Sequence, residues 1–129
     1  MVKDAIITAS SKIECLPRGI TKITPTKAGV TLEEARKDFK AISIMNGGRP
    51  ALILNDFRGA KIVSVDRDVR EYMAGEKVTA KIKAFAVLVN SPVGKSFINF
   101  WLRINRPVYP SKVFTHEQDA VEWLLEIAD

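Results

Sequence analysis

Histidine and cysteine are almost missing from this chain: His116 and Cys15 stand alone among 129 residues. A single thiol cannot close an internal disulfide, so the fold has to rest on its own core. A single imidazole excludes a multi-histidine metal centre. One Cys and one His so far apart match no zinc-ligand spacing. Long apolar runs are also missing, and none nears the roughly 20 residues that a membrane-spanning helix takes. The opening "MVKDAIITAS" carries an early Asp4 and only a short apolar run. No secretory leader is expected there, and the expected compartment is the reducing cytoplasm. Low-complexity stretches, internal repeats and linker-like segments are not seen.

What is present describes one globular domain, residues 1–129. Apolar residues make up 47% and charged residues 27% of the chain, a balance that suits a soluble folded core. Twenty Lys and Arg against fifteen Asp and Glu leave a net charge of +5. The basic residues are scattered among the acids instead of lying along one face with stacking aromatics. That pattern predicts a mixed solvated surface, with only weak attraction for anions and no nucleic-acid partner.

Periodicity then orders the elements. Residues 5–16 suit one or two strands, "PRG" at 17–19 is a turn, and 20–25 alternate again, which together predict an antiparallel hairpin. Thr31 and Glu34 have capping-box spacing, and Leu32, Ala35, Phe39 and Ile42 follow at helical intervals up to Gly47-Gly48. "PALIL" at 50–54 and "KAFAVLV" at 83–89 read as buried strands. Between them, 65–74 reads as a helix with Asp66 as cap and Val69, Tyr72 and Met73 facing inward. Ser91-Pro92 opens a helix that runs to about Asn105. "SKVFT" is a last strand, and Thr115 with Gln118 opens the final helix. Cys15 alternates inward, so a buried structural thiol is expected. The order ββαβαβαβα implies an α/β fold with a mixed, mostly parallel sheet and an antiparallel hairpin at its start.

Gly94-Lys95-Ser96, after a strand and at a helix start, has the outline of a phosphate loop. The full motif needs another glycine five positions before Gly94, where Val89 stands, and Pro92 removes a backbone N–H from the nest. The segment therefore reads as a helix entry capped by Ser91. A looser anion site at that N-terminus, near Lys95, stays open. The helix itself holds Val93, Phe97, Ile98, Phe100, Trp101, Leu102 and Ile104, more apolar residues than one buried stripe uses. Three explanations stay open: a sandwiched core helix, a surface for a protein partner or a second copy, and a contact with an apolar ligand or a membrane. The candidate surface is Val93, Phe97, Phe100, Trp101 and Ile104.

A second candidate is polar. Asp56 and Arg58 follow one parallel strand, and Asn90 and Ser91 follow the next, with Asp66 and Lys95 at the helix starts. In open α/β sheets such strand ends are where ligands gather. The plainer expectation is that Asp56 and Arg58 pair while Asp66 and Ser91 cap helices. No base, nucleophile and oxyanion donors stand together, so no reaction is expected. His116, at the start of the last helix, reads as a neutral surface residue.

The element order resembles that of the anti-sigma-factor-antagonist, or STAS (SpoIIAA-like), fold. Residues 83–124, "KAFAVLVNSPVGKSFINFWLRINRPVYPSKVFTHEQDAVEWL", look like small bacterial STAS-like proteins of unknown function, a group related to CRAL-TRIO-type lipid-binding domains. Members of the STAS family carry a phosphorylatable Ser directly after an Asp at a helix start. Here Arg67 follows Asp66, and Ser64 comes too early, which argues against that phospho-switch. The resemblance implies a non-enzymatic module with no cofactor, acting through a protein partner or its own dimer. Its alternative is a lipid or other apolar small molecule bound with helix 92–105 as a lid.

Overall fold

The computed structural model describes residues 5–59, 66–105 and 107–128, with the side chains of 101, 104 and 105 left aside. Its order is β1 (Ala5–Ile7), β2 (Ser11–Leu16), β3 (Ile20–Pro25), α1 (Leu32–Met45), β4 (Ala51–Asp56), α2 (Arg67–Ala74), α3 (Glu76–Thr79), β5 (Ile82–Leu88), α4 (Pro92–Asn105), β6 (Ser111–Phe114) and α5 (Glu117–Ala128). The mixed α/β architecture is the one the element order implied. The first apolar stretch resolves into two strands, and a one-turn helix, α3, was not foreseen.

Local chemistry places the helix ends. At α1, Thr31 Oγ1 accepts from the Glu34 N–H at 3.2 Å, and Glu34 Oε1 accepts from the Thr31 N–H at 2.9 Å, so the capping box closes. At the other end, the Gly48 N–H reaches the Ser43 carbonyl and the Gly47 N–H reaches that of Ile44. Gly47 and Gly48 sit at φ 62° and 79°, conformations that a side chain would resist. Two expected caps differ. Asp66 holds the N-cap position of α2, but its side chain accepts no capping bond. The last helix starts at Glu117, and its first turn closes on the His116 carbonyl, not that of Thr115.

The six strands lie side by side in chain order, β1 to β6. β1–β2 and β2–β3 are antiparallel, and β3–β4, β4–β5 and β5–β6 are parallel. This march in one direction has a geometric consequence. Right-handed crossovers between successive parallel strands all fall on the same face. α1, α2 and α3 indeed pack there, around Ile13, Ile23, Ile42, Ile53 and Val78. α4 joins them further along through Ile98 and Leu102, which meet Val87, Val89 and Val113. Among the described residues, the opposite face is covered by α5 alone. Ala120 and Leu124 sit on Leu52, Leu54, Ala84, Ala86 and Leu88, where two alanines in β5 let the helix approach closely. A sheet that never reverses its strand order also has no switch-point crevice of the kind that holds ligands in doubly wound folds.

Cys15 overturns its expectation and is exposed. It shares the face of fully buried Ile13, but it lies on the second strand from the sheet edge, next to the turn. The end of α1 covers the neighbouring strand instead, where Asn46 Nδ2 donates to Thr21 Oγ1. Asp38 differs in the other direction. The sequence reading was silent on it, yet it is buried on the same side of α1 as Ala35 and Ile42. The Thr8, Ser10 and Ser11 hydroxyls donate to its carboxylate at 2.5, 2.7 and 3.3 Å, tying the β1–β2 turn to the helix. Among the described residues, no helix is long and apolar enough to cross a membrane.

Candidate functional site

The polar candidates separate into three places. Asp56 ends β4 on the α5 side of the sheet and is 8% exposed. The turn after the strand folds Arg58 back onto it. The Arg58 backbone N–H and Nε both donate to Oδ1 at 3.0 Å, and a terminal guanidinium nitrogen donates to Oδ2 at 3.0 Å. Two residues join that the sequence reading missed. Lys22 of β3 places its Nζ 3.7 Å from Asp56 Oδ2 and 2.9 Å from Glu117 Oε1, and Arg58 also reaches Glu117 at 3.1 Å. The result is a closed ring of two cations and two carboxylates that links β3, β4, the following turn and the first turn of α5. The one available signal was Lys22, a charge in the middle of an alternating strand.

The ring's electrostatics oppose reactivity. Burial alone pushes the Asp56 carboxyl up. The hydrogen bonds from the Arg58 side chain and backbone, with the charges of Arg58 and Lys22, outweigh it and hold the group below the usual carboxylate range. A carboxylate with both oxygens engaged by cations is a poor general base.

Asn90 extends the ring on its loop side, since Nδ2 donates to the Arg58 carbonyl at 3.0 Å. Ser91 does something separate. Its Oγ accepts from the Gly94 N–H at 3.1 Å and caps α4. Lys95 is exposed on the first turn of that helix, and Asp66 is exposed at the start of α2. No described contact brings either to Asp56. Asn55 is a loose end: its Oδ1 is buried and finds no partner among the described residues. Among the described residues, no three His, Cys, Asp or Glu side chains are placed to hold a metal ion. An open pocket of about 260 Å³ lies elsewhere, between the β1–β2 turn and the start of α1. Of the hydroxyls that line it, those of Thr8 and Ser10 are spent on Asp38 and that of Thr31 on the cap.

The apolar candidates share one helix. At about 100° per residue, Ile98 and Leu102 define the underside of α4 and rest directly on the sheet. Val93, Phe97 and Phe100 point away from it, at 80%, 52% and 60% exposure. For these three, the sandwiched-core explanation does not hold. The side chains of Trp101 and Ile104, expected on the same surface, lie outside the described residues. α4 carries no acid, and its only charged residues are Lys95 and Arg103.

Strand order, the single-faced crossovers and the lone covering helix define a SpoIIAA-like α/β domain. A crystal structure of an uncharacterised DUF3478-family protein with a SpoIIAA-like fold, from Shewanella loihica PV-4, matches with a TM-score of 0.63 and 15% identity. The match covers 89% of this chain and 92% of that one. A protein of unknown function from Arthrobacter sp. FB24 is 28% identical, with 92% and 95% covered and a TM-score of 0.34. The chain itself belongs to the family described as "Domain of unknown function (DUF7793)", whose model matches residues 15–128. No curated protein matches it. The expected relation to CRAL-TRIO-type lipid-binding domains finds no support in these matches.

Proposed function

We propose that this domain is a non-enzymatic binding module that works by protein–protein contact through the outer face of α4, in the cytoplasm. One observation carries the reading. Two phenylalanines and a valine stand at least half exposed in a single helical stripe, on a helix whose other side is already satisfied by the sheet. Water contact over such a stripe is unfavourable, and partner burial removes it. The saturated state of the Asp56–Arg58–Lys22–Glu117 ring supports a structural role for the polar cluster. The rival idea of an apolar ligand beneath α4 would require Ile98 and Leu102 to leave Val87, Val89 and Val113, so the outer face is the better candidate.

The test is photo-crosslinking in cells with a benzophenone amino acid in place of Phe97, and at exposed Gln118 of α5 as a control. A defined protein adduct at position 97, absent at 118 and lost on Phe100→Asp, is expected. Position 97 yielding no protein adduct while the protein stays folded would end the reading.

A further inference from the structure

We propose that the partner of this face is an acidic amphipathic segment of another protein, one that lays apolar side chains on Phe97 and Phe100 and sets Asp or Glu against Arg103 and Lys95. The inference rests on the binding reading above and gives the partner its chemistry.

Charge narrows the choice. From Pro92 to Asn105 the helix holds no acid. α1, α2, α3 and α5 each carry an acid in the first turn, where it suits the positive end of the helix dipole. α4 has Lys95 there instead, and Arg103 two turns later. Both cations are exposed. Among the described residues, neither meets an acid.

Geometry puts the cations beside the apolar stripe. Side chains four apart form rows along a helix. Three exposed rows lie next to one another on α4: Val93 with Phe97, then Ser96 with Phe100, then Lys95, Asn99 and Arg103. A segment lying along the middle row touches Phe97 on one side and Arg103 on the other. Ser96 is small, so the segment can approach closely. An amphipathic helix with an apolar ridge and an acidic flank covers such a surface.

Two other occupants fit less well. A second copy of α4 brings the same cations and no acid. A bilayer sets headgroups on both sides of an interfacial helix, yet the other flank of this stripe, positions 94 and 101, carries no charge. Cations on one flank match a partner with its acids on one flank. The exposed apolar stripe is narrow, which places the contact among weak, transient encounters. In these, charge governs how fast and how selectively the partners meet.

The position-97 crosslink in cells tests this with the whole chain, repeated on charge variants shown to be folded by circular dichroism. Mass spectrometry of the crosslinked peptide should place the adduct in a segment with a surplus of Asp and Glu around apolar residues. Lys95→Glu with Arg103→Glu should cut the adduct about threefold to twentyfold, since two surface ion pairs are lost. Lys95→Arg with Arg103→Lys should keep it. The mapped segment, made as a synthetic peptide, should bind the purified chain more weakly as salt rises from about 0.1 to about 1 M. An adduct in a segment without acidic surplus, or one indifferent to the double reversal, overturns the proposal and leaves the binding reading standing. No adduct from a folded chain removes both. If the chain instead cosediments with vesicles of phosphatidylcholine and phosphatidylglycerol, and Phe97→Asp abolishes that, the face belongs to a membrane and the acidic segment is excluded.

Discussion

Removing the Asp56 carboxylate tests whether the ring around it is a fastening or a site. Asp56→Ala deletes the acceptor of three hydrogen bonds from Arg58 and a close contact from Lys22. Breaking a fully buried pair from one side costs about 3–5 kcal/mol, because the abandoned charge stays desolvated. Here the partners are less confined. The Arg58 side chain is 41% exposed and that of Lys22 17%, and both keep Glu117. Rehydration lowers the expected loss to about 2–3 kcal/mol. For a chain of this length that is a fall in Tm of roughly 6–15 °C. Urea denaturation should show it as a lower midpoint with an unchanged slope. The pH dependence has a definite sign. The folded-state pKa of Asp56 lies below its ordinary 3.8, so its contribution is complete above that value and is lost as pH falls through the folded-state pKa. Wild type should therefore lose stability in strong acid more steeply than the variant. A loss under about 0.5 kcal/mol, the scale of an ordinary surface substitution, would refute the fastening argument, as would identical acid limbs.

Two other substitutions probe the same physics. Asp38→Ala strands three buried or half-buried hydroxyls at the β1–β2 turn. It should cost about 3 kcal/mol in chemical denaturation, while Asp38→Asn, which keeps an acceptor oxygen, should cost about half that. Asn55→Val replaces a buried oxygen that has no partner among the described residues, on a strand between Ile23 and Val87, with a β-branched side chain. A gain of about 1 kcal/mol is expected, and a loss of stability would show that Oδ1 is satisfied in solution.

Legibility followed the range of the interaction. The capping box at Thr31, the glycine-ended α1 and the Ser91 cap of α4 each involve residues three to five apart, and their residue types announce them. The Asp56–Arg58 pair was visible for the same reason. Lys22 and Glu117 were not. They are 95 residues apart and meet only because β3 lies beside β4 and α5 crosses the same face. Asp38 escaped for a related reason, since burial of a carboxylate depends on which hydroxyls fold over it.

The sequence alone thus determined the class of fold, the order of most of its elements and the reading of "SPVGKS" as a helix entry instead of a phosphate loop. It also showed an excess of apolar residues on residues 92–105, without saying where they point. Tertiary structure decided that. The strands advance in one direction, so every crossover helix lands on one face, and α4, resting on β5 and the edge strand β6, needs only Ile98 and Leu102 to dock. Phe97 and Phe100 stay in water because they stand on the side of α4 opposite Ile98 and Leu102, away from the sheet.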